Sequence, residues 1–263
     1  MNAWWPRHLI MVVDALNRRG KAVGVRLVKY TGKSQHFIHP KHLVDAPWHD
    51  WYVEHLSPAD AVLDVGCANG AHTARAARRA KRVVGFDYDV NQLKIAATNV
   101  RRLGLGNVHL FAWDLACPFP FSDRSFDAVL FLDVIEHIHP RVTVLREIHR
   151  VLKDDGRLMV SAPNSETSWR RRLRDAGLFA FSDPDHKVEY TQDEFLAELR
   201  AGGFEPEGPV MPIVYDTPWA GLIDALGGLS LRLYARLGRW KREAALRRPE
   251  ESTGFQVVAR RLG

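Results

Sequence analysis

The chain has 263 residues, 46% hydrophobic and 26% charged, with 37 Lys and Arg against 31 Asp and Glu and a net charge of +6. That length accommodates one α/β core with decorations and argues against two complete catalytic domains. The composition excludes a disordered or repeat-built chain, and two cysteines, Cys67 and Cys117, exclude a disulfide framework and fit a reducing compartment.

The first residues, Met1-Asn-Ala-Trp-Trp-Pro-Arg-His8, lack the basic stretch and apolar run of a secretion signal, and no apolar run of about 18 residues follows. A cytoplasmic protein is expected, soluble or peripheral at a membrane. Residues 8–19 place Leu9, Ile10, Val12, Val13 and Leu16 at helical spacing, with Gly20 as the expected stop. Residues 30–58 are rich in His, Trp and Pro and read as the end of an N-terminal cap segment, 1–58, ahead of the main domain, 59–263.

From residue 61 short apolar runs alternate with helical stretches, the signature of a doubly wound, mostly parallel α/β sheet. Strands are expected at Ala61–Val65, Val83–Phe86, Val108–Ala112, Ala128–Leu132 and Leu158–Ala162. The helices between them fall at Ala71–Arg79, Val90–Leu103 and Thr143–Leu152, the last ended by a turn at Lys153-Asp-Asp-Gly156. Thr191-Gln-Asp-Glu194 has the form of a capping box, so a helix should run to about Ala201 before Gly202-Gly203. Phe204–Tyr215 reads as a strand or bent strand pair, and Gly254–Arg260 as a final strand, with a helical insertion at about 217–250 between them.

In such a sheet ligands bind beyond the carboxyl ends of the strands, where strand order reverses. The loop after the first strand is Asp64-Val-Gly66-Cys67-Ala68-Asn69-Gly70, whose glycines let backbone turn sharply against a ligand. It is not the G-x-G-x-x-G of a dinucleotide site, which weighs against a nicotinamide oxidoreductase, nor a phosphate loop. Asp87, followed by Tyr88, ends the second strand where a carboxylate can accept from both hydroxyls of a ribose; Asp114, followed by Leu115, lies after the third, where it can accept from an adenine amino group.

At these residues the sequence resembles the class I S-adenosylmethionine-dependent methyltransferases, particularly the small-molecule group that includes quinone-biosynthesis enzymes. The resemblance covers about residues 60–205. V-L-D-V-G-C-A-N-G, G-F-D-Y-D, A-W-D-L and F-D-A-V-L-F-L-D-V-I-E-H-I resemble the family's four successive strand-end motifs. It implies a seven-stranded Rossmann-like sheet with the last strand antiparallel. It also implies S-adenosylmethionine held by Asp64, Gly66, Cys67, Ala68, Gly70, Asp87, Tyr88, Asp114, Leu115 and Leu132. Asn69 stands where a glycine is common, in a conventional or a left-handed backbone.

Methyl transfer from a sulfonium is an in-line displacement that needs alignment and exclusion of water; if the acceptor is a hydroxyl, a general base helps. His137, beside Glu136, is the first candidate and His186 the second. Each could instead be a helix-capping or surface group. Asp133, Glu136 and His137 resemble an E-x-x-E-H run read as a divalent-metal site, but Mg²⁺ and Mn²⁺ prefer mostly oxygen ligands, so no metal is expected.

The expected acceptor is a small molecule, glycan or lipid-linked intermediate, with O-methylation favoured. An RNA methyltransferase and a noncatalytic cofactor-binding protein are the alternatives. The fourth-strand end lacks the Asn-Pro-Pro-aromatic run that resembles methylators of exocyclic amines on adenine or cytosine, which weighs against that one nucleic-acid reading, while the basic pI keeps RNA as an alternative. Residues 219–247 interleave Trp219, Leu222, Leu226, Leu229, Leu233 and Trp240 with Arg232, Arg236, Arg239 and Arg242. This segment suits a lid, a homodimer contact or a peripheral membrane contact; the first two are favoured because amphipathic helices usually bury their apolar stripe in protein.

Overall fold

A computed structural model describes residues 5–44 and 46–263; residues 1–4 and Asp45 of the expected cap segment lie outside the described residues. In chain order the elements are α1 (Arg7–Tyr30), β1 (Ala61–Val65), α2 (Ala71–Ala77), β2 (Arg82–Asp87), α3 (Val90–Arg102), β3 (Val108–Ala112) and β4 (Phe126–Leu132). They continue with α4 (Arg141–Val151), β5 (Leu152–Pro163), α5 (Ser168–Asp175), α6 (Gln192–Ala201), β6 (Phe204–Pro206) and β7 (Met211–Pro212). α7 (Ala220–Leu229), α8 (Leu231–Arg247) and β8 (Gly254–Arg261) complete the chain. Among the described residues no helix is long and apolar enough to cross a membrane.

The chain forms two compact units built from interleaved segments. One comprises Met1–His49, Ser165–Ser182 and Pro212–Thr253, the other Asp50–Asn164, Asp183–Met211 and Gly254–Gly263. Charge is segregated between them: the first carries 19 basic and 9 acidic side chains, net +10, and the second 18 and 22, net −4, together the +6 of the chain.

The second unit holds an α/β sheet in the order β3-β2-β1-β4-β5-β8-β6, with β7 pairing β8 off this path. β1 is buried along its whole length, as a central parallel strand covered on both faces must be. β8 runs antiparallel to β5, as expected, and β7 makes the strand number eight rather than seven. One face of the sheet buries Leu63, Phe86, Phe131, Leu145, Ile148, Val160 and Phe195; the other buries Val62, Leu130 and Met159 against Tyr52 and Ala76. α3 begins where Asp89 accepts from the amides of Asn91 and Gln92, and the expected capping box of Thr191 and Glu194 starts α6.

Three expectations about local structure are corrected. Lys153–Gly156 does not end a helix at a separate turn: it lies within β5 as an irregularity, where Phe126 pairs Leu152 but Ala128 pairs Arg157. The strand or bent strand pair expected at Phe204–Tyr215 is interrupted: Phe204–Pro206 and Met211–Pro212 form two short strands, and Tyr215 makes an isolated bridge to Ser252. Gly20 does not stop the first helix, which continues to Tyr30.

The reason lies in the packing of the first unit. A Cβ on Gly20 would collide with the backbone of Gly221, and one on Gly24 with the backbone of Asp224, so both glycines permit α1 and α7 to pack backbone against backbone. That contact is worth more than the roughly 1 kcal/mol of helix propensity each glycine gives up. The basic run at Arg170 forms α5, whose Trp169 and Leu173 pack on Ile10 and Val13 of α1. Trp48, Val44 and Ala46 pack with Leu231 and Tyr234 at the start of α8.

Candidate functional site

Parallel pairing of β1 with β2 and β4, and of β2 with β3, brings the loops after these four strands to one edge of the sheet, with the reversal of strand order at β1. The loop after β1 is fixed by its own backbone: the amides of Gly66 and Cys67 both donate to the Phe86 carbonyl at 3.0 Å. Gly66 (φ 74°) and Gly70 (φ 73°) are left-handed. So is Ala68 (φ 41°), whereas Asn69 is not, which settles the alternative left open for that residue. Its side chain instead accepts from the Ala71 amide at 3.1 Å.

Both glycines are also sites of close approach. A Cβ on Gly66 would lie 2.8 Å from Val134 Cγ2, and one on Gly70 would lie 2.8 Å from the Ala96 Cβ. Asp87 closes the loop, its Oδ2 accepting from the Ala68 amide and its Oδ1 from the Asp89 amide, both at 2.9 Å. An ionised carboxylate has about four acceptor sites, so two remain for hydroxyls. The Trp113 amide donates to the Asp87 carbonyl at 3.0 Å, which ties the Asp114–Leu115 turn to the same place. Asp114 and Tyr88 are exposed and Leu115 is half-buried. The Trp113 indole N–H, beside Asp114, is buried with no hydrogen-bond partner among the described residues.

Asp64 is the buried member of the group. Its Oδ2 accepts from the Thr73 hydroxyl at 2.5 Å, and burial pushes its carboxyl up to about 7 despite that bond, with the charge of Asp87 adding to the rise. Cys67 is buried, and the same desolvation pushes its thiol up, so it is an inert packing group beneath the loop and not a nucleophile. This cradle suits S-adenosylmethionine: a tight loop with left-handed backbone at Gly66, Ala68 and Gly70, a ribose-competent carboxylate and one orphan donor, with no array aimed at a pyrophosphate among the described residues. Leu132 ends β4 next to it, paired with Ser161 of β5.

Beyond Leu132 the chain turns at Asp133 in a left-handed conformation (φ 56°), held by Ser161, which donates to Asp133 Oδ1 at 2.6 Å and accepts from its amide at 3.0 Å. Val134 links two features: its side chain covers Gly66, and its carbonyl accepts from the His137 amide at 2.9 Å in a single helical turn. The three proposed acid–base residues then meet. His137 and His186 stand edge to face with ring centroids 4.6 Å apart, and His186 Nε2 is 3.9 Å from Glu136 Oε1. The Lys187 amide donates to the Glu136 carbonyl at 2.7 Å, so the 183–190 loop is strapped to the turn after β4.

Glu189 was not singled out from the sequence and is the fourth member. Its buried carboxyl lies 2.8 Å from His186 Nδ1, a contact that orients the ring with Nε2 towards Glu136. The spacing H-x-x-E was the available signal. Burial and the neighbouring His186 hold His137 below its ordinary 6.5, against the opposing pull of Asp183, Asp133 and a hydrogen bond to the Asp185 backbone. Ligand atoms of Glu136, His137 and His186 lie within 4.8 Å of one another, close enough to share a divalent ion. Two imidazoles and one carboxylate suit a borderline transition metal better than Mg²⁺.

Residues 56–204 match the family described as methyltransferase domain. The 27-O-demethylrifamycin SV methyltransferase of Amycolatopsis mediterranei is 27% identical over 219 residues, which is 78% of each chain. A probable S-adenosylmethionine-dependent methyltransferase of Mycobacterium tuberculosis is 31% identical over 159 residues, 59% of this chain and 54% of that protein, so the chain spans about half the length of this relative. Among solved structures, the cyclase SpnF superposes with a TM-score of 0.59 at 22% identity over 81% of this chain and 82% of its own, a likeness that speaks for the fold alone.

Proposed function

Because the chain belongs to the class I S-adenosylmethionine-dependent methyltransferases, we propose that it O-methylates a small hydroxylated acceptor with His137 as general base. It is an enzyme of small-molecule type, and its methyl donor is S-adenosylmethionine. When bound, the donor supplies a methyl group on a sulfonium, an electrophile strong enough that no covalent catalytic residue is required. Gly66, Ala68 and Gly70 would hold it by backbone approach, Asp87 by the ribose hydroxyls, and Asp114 and Leu115 at adenine. Asp64 holds the loop from beneath, Tyr88 lies on the rim, and Leu132 flanks the methionine portion.

The observation that carries the oxygen reading is the histidine pair. An imidazole held below its ordinary value is mostly neutral at pH 7 and can take a hydroxyl proton. His186 lies against it, fixed by Glu189 and Glu136, which act as positioning residues. The name of the rifamycin relative specifies an oxygen, which supports the same class of acceptor for this chain. RNA is not favoured: the unit that carries the cradle is net acidic, and a polyanion binds where cations gather. A glycan or a lipid-linked alcohol presents the same hydroxyl chemistry.

Transfer of labelled methyl from S-adenosylmethionine to a panel of hydroxylated metabolites tests this. The expected product is a methyl ether, formed equally well after EDTA treatment. A methyl group on nitrogen or carbon would overturn the oxygen reading. Activity lost to EDTA and restored by a transition metal would overturn the base and make Glu136, His137 and His186 metal ligands. Donor binding with no turnover on any acceptor would favour the noncatalytic alternative.

A further inference from the structure

α1 is apolar on two faces. Ile10, Val13, Gly24 and Val28 are buried within its own unit. A second stripe, Leu9, Val12, Leu16, Arg19, Val23, Arg26 and Tyr30, recurs at intervals of three and four residues and is exposed throughout, Val12 by 55% and Leu16 by 57%. An exposed stripe of this spacing is not how a helix of a monomeric soluble protein ordinarily ends its apolar pattern. α7 repeats the arrangement: Gly221, Asp224 and Gly228 are buried, while Leu222 (55%), Leu229 (58%) and Trp219 just before the helix are exposed.

The two stripes form one surface. Gly20 meets Gly221, and Gly24 meets Asp224 and Gly228, so α1 and α7 run parallel within their unit. At about 100° per residue the exposed stripe of each helix lies roughly a quarter turn from its glycine contact, in opposite rotational senses. In a parallel pair those senses bring both stripes to the same side. Their glycine backbones lock the pair, which makes the surface a rigid platform and not two separate helices.

We infer that this α1–α7 platform docks on an anionic lipid surface, with its leucines and valines at the acyl boundary and Arg19 and Arg26 at headgroup phosphates. Charge chooses this occupant over a second copy of the chain. Neither stripe contains a carboxylate: the single acid of α1, Asp14, is engaged by Arg18 at 2.8 Å, and that of α7, Asp224, is buried against His39 at 3.2 Å. Two copies placed face to face would bring arginines together without counter-charge, whereas phosphate headgroups supply it. The unit's +10, and exposed Trp219 and Tyr30 suited to the headgroup level, fit the same partner. The surface extends the expectation for residues 219–247 to α1, whose share was not foreseen. It does not rest on the methylation reading.

Co-sedimentation of the full chain with phosphatidylcholine vesicles, with and without phosphatidylglycerol, tests the inference without any activity readout. The expected result is binding to the anionic vesicles, weakened by salt. Leu16→Asp/Leu222→Asp and, separately, Arg19→Glu/Arg26→Glu should each lower partitioning by about tenfold or more. Circular dichroism should be unchanged, since all four side chains face solvent. Failure to bind either vesicle, or variants that bind as the wild type does, overturns the inference. So does a dimer in analytical ultracentrifugation that Leu16→Asp/Leu222→Asp converts to monomer, which would give the platform to a second copy.

Discussion

Replacing the buried Asp64 with Asn should raise stability at neutral and alkaline pH while barely changing it in acid. The carboxyl titrates at about 7 in the folded protein against an ordinary 3.8, because burial strips its charged form of water. Between those values the folded chain holds a proton that the unfolded chain has released. Stability from this group is therefore fully present below pH 3.8 and is lost as pH rises through 7. Linkage over pH 5 to 8 gives a loss of about 3 kcal/mol for the wild type. Asparagine does not titrate, and its side-chain oxygen can still accept from Thr73, which now donates to Oδ2.

Urea unfolding of both proteins at intervals from pH 5 to 8 isolates the group, because all other titrations cancel in the difference. The gap between Asp64→Asn and wild type should open steadily with pH and level off above 7. Parallel stability curves would refute the reasoning, since they would mean that Asp64 is solvated well enough to titrate as an ordinary carboxyl. The native residue would then carry no penalty for its place beneath the loop.

Other perturbations of the site have equally definite outcomes. Gly70→Ala should cost about 2–5 kcal/mol, combining a left-handed backbone with overpacking against Ala96; Gly70→Ala/Ala96→Gly should recover part of it, and a double variant no better than the sum of the singles would refute the contact. Asp87→Asn removes charge-assisted bonds to the Ala68 and Asp89 amides, so calorimetry should show S-adenosylmethionine binding weakened by about 10–100-fold; unchanged affinity would dismiss Asp87 as a ligand. His137→Gln should lower kcat by on the order of 100-fold or more without altering donor affinity. Because His137 is held below 6.5 and acts when neutral, wild-type activity should fall as pH drops below that value, and the fall should vanish in the variant. An acid limb that persists would assign the base to another group.

The central sheet was legible because each of its signals is local. A buried parallel strand needs a continuous apolar run, as at Ala61–Val65, and a strand-to-helix loop that turns through a left-handed backbone favours glycine, as at Gly66 and Gly70. The acids Asp87 and Asp114 could be placed because parallel strands all deliver their carboxyl ends to one edge. Glu189 escaped notice because its role depends on a loop from 183–190 folding back onto the turn after β4, some fifty residues earlier in the chain. Ser161, which holds Asp133, is a β5 residue whose partner is set by sheet register.

Gly20 shows the limit most clearly. In sequence a glycine after an apolar helical run reads as a stop, because its backbone freedom is the only property visible there. In the structure the same missing side chain serves a contact with Gly221, two hundred residues away, and the helix runs on. Sequence alone determined the α/β class, the sheet edge where the strands' carboxyl ends gather and the acids Asp87 and Asp114 at those ends, since these follow from periodicity and residue chemistry within each strand and loop. Tertiary structure alone decided the length of α1, the assembly of three distant segments into one basic unit, and the meeting of His137, His186 and Glu189. Such contacts are fixed by which backbone surfaces can approach one another, and no local pattern records that.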